Sequence, residues 1–337
     1  MFEIDFTFDE PFRLENGVEI RPLDLRCSIY GKLNADRSNA VLVFHALTGS
    51  SRIAEWWKDI LGTRLGLDTS KYAFVCVNYL GSCYGSTSAA VLSKRNGSWK
   101  KKLPVVTTRD IVKTNFRLLE YLGIKKLKAL VGGSVGGMLA LQFAADHPEV
   151  AEKCVAIGAS PLSSMGLALN HLQRQALRLN DIEMARKIAM ISYKSAGFFD
   201  ERFARNPNRN GELPEEDHEN RFDVAGYLDY QGDIFNQRFE NESYQLITKV
   251  MDLFELSDDE IGRIKARVSL IGISSDWLFP AKDIERFNDK LRSLGVDSRF
   301  ITFESNDGHD AFLSDTEKMN EILKGVLSDR LEATGGI

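Results

Sequence analysis

The sequence predicts an α/β protein: a mostly parallel central sheet flanked by helices, interrupted late by a helical insertion. Three observations predict it. Short continuous apolar runs alternate with segments of helical spacing, the rhythm of βα units whose strands are buried on both faces. One such run ends in Gly132-Gly133-Ser134-Val135-Gly136-Gly137 and passes at once into the apolar helical pattern Met138–Ala145. Between about residues 162 and 262 no segment reads as a strand, and the βα rhythm then resumes.

The elements follow in order. Glu3–Phe8 and Leu25–Tyr30 alternate and read as edge strands, with turns at Glu15-Asn16-Gly17 and Gly31–Asn39. Ala40–His45 is a buried strand that empties into Ala46-Leu47-Thr48-Gly49-Ser50-Ser51. A helix is expected over Ile53–Leu65, with Trp56, Ile60 and Leu61 on one face. Tyr72–Val77 is the next strand, followed by Asn78–Thr87, whose small and aromatic residues fit either a shaped loop near a site or a plain surface loop. The basic run Lys94–Lys102 reads as a solvated face. Thr107 and Asp110 form a capping box for a helix carrying Val112, Phe116 and Leu119, closed by Gly123. Leu127–Val131 is the strand before the glycine-rich turn, the helix after it stops near Pro148, and Cys154–Ile157 is the next strand. Within the insertion, Leu167–Leu179, Asp181–Ser195 and Tyr244–Phe254 read as helices, and the polar Arg205–Asn220 reads as a mobile loop. Val268–Ile273, helix Lys282–Leu294, strand Ser298–Phe303 and a last helix from about Asp315 complete the chain. Residues 1–161 and 263–337 are thus expected to form the core domain and 162–262 a helical lid.

Composition narrows the function. The 337 residues are 43% hydrophobic and 27% charged, ordinary for a globular protein. A net charge of −5 gives no basic footprint for nucleic acid or an anionic membrane. Met1–Phe6 lacks the cationic start and apolar run of a signal peptide, and no apolar stretch approaches ~20 residues. The four cysteines show no metal spacing and are expected as reduced thiols. These features predict a soluble, cytoplasmic protein without a metal or bound cofactor.

A strand, a sharp turn with serine at its apex and a helix form the nucleophile elbow of α/β-hydrolase-type enzymes. The turn strains Ser134 and excludes side chains from its neighbours. The N–H of Val135 then lies at a helix N-terminus, where it can stabilise a developing negative charge, and the loop after Ala40–His45 supplies a second N–H, that of Leu47. An elbow needs an acid and a base downstream in the order Ser, Asp/Glu, His. Asp276 follows one late strand and His309 the next, both at carboxyl ends on the edge that carries Ser134. Of the five histidines only His309 has this setting: His45 ends a strand, His147 ends a helix, His171 lies in the insertion and His218 in an acidic loop. Asp307 and Asp310 compete with Asp276 but lie too close to His309 in sequence to orient it easily. In this arrangement His309 takes the Ser134 proton, Asp276 fixes the imidazole, and an acyl-serine forms. Whether water or another hydroxyl receives the acyl group stays open at this level.

Several segments together resemble homoserine O-acetyltransferases: Phe44–Gly49, Leu80–Thr87, Pro104–Asp110, Gly132–Met138, Gln173-Arg174-Gln175-Ala176, Tyr230-Gln231-Gly232-Asp233 and Gly308–Phe312. The resemblance runs from about residue 10 to 325. It implies transfer of acetyl from acetyl-CoA to the hydroxyl of L-homoserine, feeding methionine synthesis, with Ser134, Asp276 and His309 as the triad. It further implies that Arg174 grips the acceptor carboxylate, that Asp310 meets its amine, that Tyr230 lines the same pocket, and that two chains pair through their lids. Succinyl-using relatives carry an arginine two positions after the triad aspartate; here that position is Leu278, which offers a succinyl carboxylate no partner. Ser88–Lys102 and the short lid depart from the family pattern, so L-serine remains an alternative acceptor and a small-ester hydrolase an alternative activity.

Overall fold

A computed structural model of the chain describes residues 1–95, 103–208 and 211–328. Eight strands form one sheet: β1 (Phe2–Phe8), β2 (Leu23–Tyr30), β3 (Ala40–Phe44), β4 (Ala73–Val77), β5 (Ala129–Gly133), β6 (Lys153–Ile157), β7 (Arg267–Ile273) and β8 (Ser298–Phe303). Their order is β1-β2-β4-β3-β5-β6-β7-β8. The pairs β1·β2 and β2·β4 are antiparallel and the remaining pairs are parallel. The expected mostly parallel sheet is therefore present, with the antiparallel ribbon confined to one edge.

The helices are α1 (Ile53–Trp56), α2 (Ala89–Arg95), α3 (Thr108–Tyr121), α4 (Val135–Asp146), α5 (Ser164–Arg178), α6 (Ile182–Tyr193), α7 (Ala196–Phe203), α8 (Asp223–Asn236), α9 (Asn241–Asp252), α10 (Asp258–Gly262), α11 (Ala281–Ser293), α12 (Ala311–Ser314) and α13 (Thr316–Leu327). Alternate strand residues feed two buried layers. Leu42, Leu130, Ala156 and Leu270 pack on one face with Val112, Leu119 and Ile284 of α3 and α11. Val43, Val131, Val155 and Ile271 pack on the other with Ile53, Met319 and Leu323 of α1 and α13. This double burial is why the strands read as unbroken apolar runs.

The capping box is present: the Thr107 side chain accepts from Asp110 N–H while the Asp110 carboxylate accepts from Thr107 N–H. The elbow turn is equally specific. Ser134 sits at φ 57°, ψ −128°, a costly conformation for a residue with a Cβ. A Cβ on Gly136 would stand 2.3 Å from the Phe44 carbonyl oxygen, so only glycine lets α4 approach β3 this closely.

One expected element is corrected. The helix over Ile53–Leu65 stops after Trp56, and Leu61–Gly62 pairs instead with Leu67–Asp68. Arg64 adopts φ 64° and its N–H, like that of Ser70, donates to Asp68 Oδ1 at 3.0 Å. The aspartate-closed turn wins over helix propagation, while Trp57 and Ile60 still reach the core. Between β6 and β7 no strand intervenes among the described residues. There α5 packs on α6 and α9, and α6 on α8; α7, α8 and α10 add to the three helices expected there. Of Arg205–Asn220, the described part is pinned by pairing of Pro207 with Phe222 and by Arg221 against Glu212. Residues 96–102 of the basic run lie outside the described residues. No helix among the described residues is long and apolar enough to cross a membrane.

Thr107→Ala should lower unfolding free energy by about 1 kcal/mol, since it removes one half of the cap. Urea denaturation at unchanged m-value checks this; an effect below a few tenths would contradict the cap's contribution.

Candidate active site

The carboxyl ends of β5, β7 and β8 bring Ser134, Asp276 and His309 to one edge of the sheet. His309 Nδ1 lies 2.6 Å from Asp276 Oδ2. The other carboxylate oxygen, Oδ1, accepts the backbone N–H groups of Leu278 and Phe279, each at 2.9 Å. Asp276 is thus held from both sides, while Asp307 accepts from the Ser314 hydroxyl and Asp310 pairs with Lys194. Nδ1 donating to Asp276 leaves Nε2 as the basic nitrogen. That atom is buried and has no partner among the described residues.

The His309 ring is walled by aromatic side chains. Phe279 stacks at 5.2 Å between centroids, Phe312 meets it edge-on at 5.6 Å, and Tyr193 from α6 lies at 5.9 Å. Gly158, at the end of β6, underlies the ring: a Cβ there would stand 3.1 Å from Cε1. β6 is the neighbour of β5, so His309 sits one strand from Ser134. Burial alone would push the imidazole down, but the Asp276 charge and hydrogen bond outweigh it and hold His309 above its ordinary value. Asp310 adds to the rise and Lys194 opposes it.

Neither the Leu47 N–H nor the Val135 N–H donates to a backbone carbonyl among the described residues. The Leu47 loop is braced beneath: Tyr79 Oη donates to the His45 carbonyl at 2.5 Å and the His45 ring stacks on Tyr79 at 3.8 Å. Burial pushes His45 down to about 4, so it stays neutral. His147 stacks on Phe116 at 3.9 Å, and His171 and His218 are exposed.

The residues assigned to the acceptor side do not all gather here. Asp310 does, one residue from His309. Leu278 is buried beside Asp276. Arg174 instead pairs with Asp252 of α9, both side chains largely buried, with Nη1 left unpartnered. Tyr230 is 60% exposed and lines a lid cleft of about 440 Å³ with Arg202, Arg221 and Tyr227.

Two cations near His309 were not singled out in the sequence. Arg186 of α6 lies between two rings, its Cζ 5.6 Å from the Tyr193 centroid and 5.0 Å from that of Phe235. Its Nε and Nη1 are buried without an acceptor among the described residues. Lys194 places Nζ 3.1 Å from Asp310 Oδ2. A signal for Arg186 was available: it stands on the buried stripe of α6 with Ile182, Ala189 and Met190, where a cation is out of place unless something anionic meets it.

Comparison with known proteins agrees with this architecture. The alpha/beta hydrolase fold family matches residues 39–316. The homoserine O-acetyltransferase of Bradyrhizobium diazoefficiens is 34% identical, covering 98% of this chain and 91% of that protein. The crystal structure of homoserine O-acetyltransferase from Staphylococcus aureus superposes with a TM-score of 0.79 at 26% identity, over 97% of this chain and 95% of that one. An acetylester hydrolase from Corynebacterium glutamicum shares the fold, with a TM-score of 0.78 at 21% identity over 97% and 96% of the two chains.

The His309 environment is checked by its titration. Its imidazole resonance should titrate above the ordinary value of about 6.5, and in Asp276→Asn it should titrate below the wild-type position, because burial remains while the charge is gone. A wild-type titration below that ordinary value would contradict the geometry.

Proposed function

The chain belongs to the homoserine O-acetyltransferase family of alpha/beta hydrolase-fold proteins, and on that premise we propose that it moves an acetyl group from acetyl-CoA to the side-chain hydroxyl of L-homoserine through an acetyl-serine at Ser134. The observation that carries this reading is the buried pair of Asp276 and His309, with a guanidinium, Arg186, whose Nε and Nη1 find no acceptor among the described residues, one aromatic ring away.

The steps follow from the geometry. His309 Nε2 takes the Ser134 proton as Oγ attacks the thioester carbonyl carbon. The N–H groups of Leu47 and Val135 receive the oxyanion. The C–S bond breaks and His309 returns the proton to the CoA sulfur. In the second half, the homoserine hydroxyl attacks the acetyl-serine, His309 takes its proton, and Ser134 leaves with that proton. Asp276 keeps the imidazole in the tautomer both halves need. Leu278, buried and apolar, favours acetyl over succinyl, because a buried carboxylate there would lack a partner.

The acceptor side departs from the resemblance. Arg174 already serves Asp252, so its charge is offset and it ties α5 to α9. Arg186 has no carboxylate partner among the described residues and offers a planar fork suited to one. We therefore assign the acceptor carboxylate to Arg186, the amine to Asp310, and to Tyr230 a place on the outer lid. The lid also exposes Met165, Leu167, Leu172, Leu179, Met184 and Ile191, which supports pairing of two chains through it. A biosynthetic role in methionine formation fits a cytoplasmic enzyme.

Incubation with acetyl-CoA and a panel of homoserine, serine and water tests the activity. CoA release that needs homoserine is expected; equal release without an acceptor would make the protein a hydrolase, and preference for serine would move the assignment within the family. Arg186→Gln should raise the acceptor KM roughly 10- to 100-fold, the loss of one charge-assisted hydrogen-bonded pair. Arg174→Ala should mainly lower Tm. The reverse pattern in these two variants would return the carboxylate to Arg174.

A further inference from the structure

Lys194 stands where the lid meets both catalytic loops. Trp277, next to Asp276, donates its indole N–H to the Lys194 carbonyl at 3.0 Å. The Ser195 hydroxyl donates to the Asn306 carbonyl. Gly308, at φ 72°, packs so tightly on this segment that a Cβ would stand 2.6 Å from Ser195 N and 2.7 Å from the Lys194 carbonyl carbon. The backbone of Lys194 is therefore fixed against the loops that carry Asp276 and His309. Its side chain lies over the Phe198 ring, Nζ 4.7 Å from the centroid, and ends 3.1 Å from Asp310 Oδ2. The two side chains are 10% and 20% exposed, so solvent only partly screens the pair.

This pairing changes what the acceptor site can recognise. Arg186 and Lys194 each carry a positive charge and Asp310 a negative one, so these three groups together leave one positive charge uncompensated. An acceptor carboxylate meets that surplus. An acceptor ammonium meets a carboxylate already occupied, and it must displace Lys194 Nζ or share Asp310 with it. Ammonium recognition therefore gains little, whereas carboxylate recognition gains fully.

We propose that Lys194 is a specificity-determining residue: by holding Asp310 in an ion pair it opens the acceptor site to hydroxy-carboxylates that lack a free ammonium group. The chemical class is an unbranched ω-hydroxy acid whose hydroxyl reaches the same distance from its carboxylate as in homoserine. The inference rests on the acyltransferase reading for its consequence, but its physical content is a ratio of affinities that requires no acyl transfer.

The test compares L-homoserine with 4-hydroxybutanoate, the same molecule with hydrogen in place of the amine. Calorimetry on the full chain without acetyl-CoA gives both affinities; acetyl transfer to each is then followed with acetyl-CoA present. In the wild type the two affinities should lie within roughly tenfold of each other, a small margin for a charged group at a half-buried carboxylate. In Lys194→Met, Asp310 is released to the ammonium, so homoserine should bind more tightly and the ratio should widen by about tenfold or more. Lys194→Gln provides a second variant of similar length should the methionine change disturb folding. An unchanged ratio in a folded variant, or wild-type rejection of 4-hydroxybutanoate as strong as the variant's, overturns the proposal. Binding ratios that behave as expected without any acetyl transfer would instead overturn the acyltransferase reading and leave the role of Lys194 standing.

Discussion

The 2.6 Å contact between His309 Nδ1 and Asp276 Oδ2 is the constraint on which the rest of the site depends. It joins the loop after β7 to the loop after β8 and decides which imidazole nitrogen remains basic. Two backbone N–H groups on Oδ1 keep the carboxylate from turning away. Asp276 is almost wholly buried, at 5% exposure, so its charge acts on His309 through a poorly screened medium. In the proposed mechanism the imidazolium of each half-reaction is then stabilised without any group having to move.

The second anchor is the contact of lid and catalytic loop at Gly308. Tyr193, Lys194 and Ser195 lie against it, so the end of α6 is registered on the residue before His309. Tyr193 passes this registration on to Arg186, one ring farther away. A lid assembled from helices alone could slide on the sheet; this one is tied to the chemistry through backbone contacts. Arg186 and Lys194 are on α6 or directly after it, so in the proposed assignment that helix sets substrate position.

Much of this was legible in the sequence. Ser134, Asp276 and His309 were readable because a strained elbow needs glycines and because strand ends in a parallel sheet share an edge. The strands were readable because burial on both faces leaves unbroken apolar runs. Residues 53–65 were misjudged because helical spacing of Trp56, Ile60 and Leu61 is also met by a turn that buries Ile60 and half-buries Trp56 and Leu61, and Asp68 closes that turn. Arg174 and Arg186 could not be separated from spacing alone. What separates them is the position of Asp252, which is 78 residues from Arg174 in the chain and adjacent in space. The buried stripe of α6 marks Arg186 as a cation that needs an anion, but that Asp252 already neutralises Arg174 is a tertiary property that local pattern does not report.

The same fold carries acetyl-ester hydrolysis in one protein and acetyl transfer to homoserine in others, with the Corynebacterium glutamicum and Staphylococcus aureus enzymes both covering nearly the whole chain. The triad and oxyanion groups therefore cannot decide between water and an amino-acid hydroxyl, since both acceptors need the same base. The decision falls to the lid. With Ser134 and His309 only 5% and 2% exposed, water competes poorly for the acyl-serine once a bound acceptor occupies the space beneath α6. On the proposed assignment, binding energy from Arg186 then holds a hydroxyl near His309 Nε2, and that positional advantage can exceed the concentration of water. Transfer rather than hydrolysis, on that assignment, follows from a lid cation separated from His309 by one tyrosine ring.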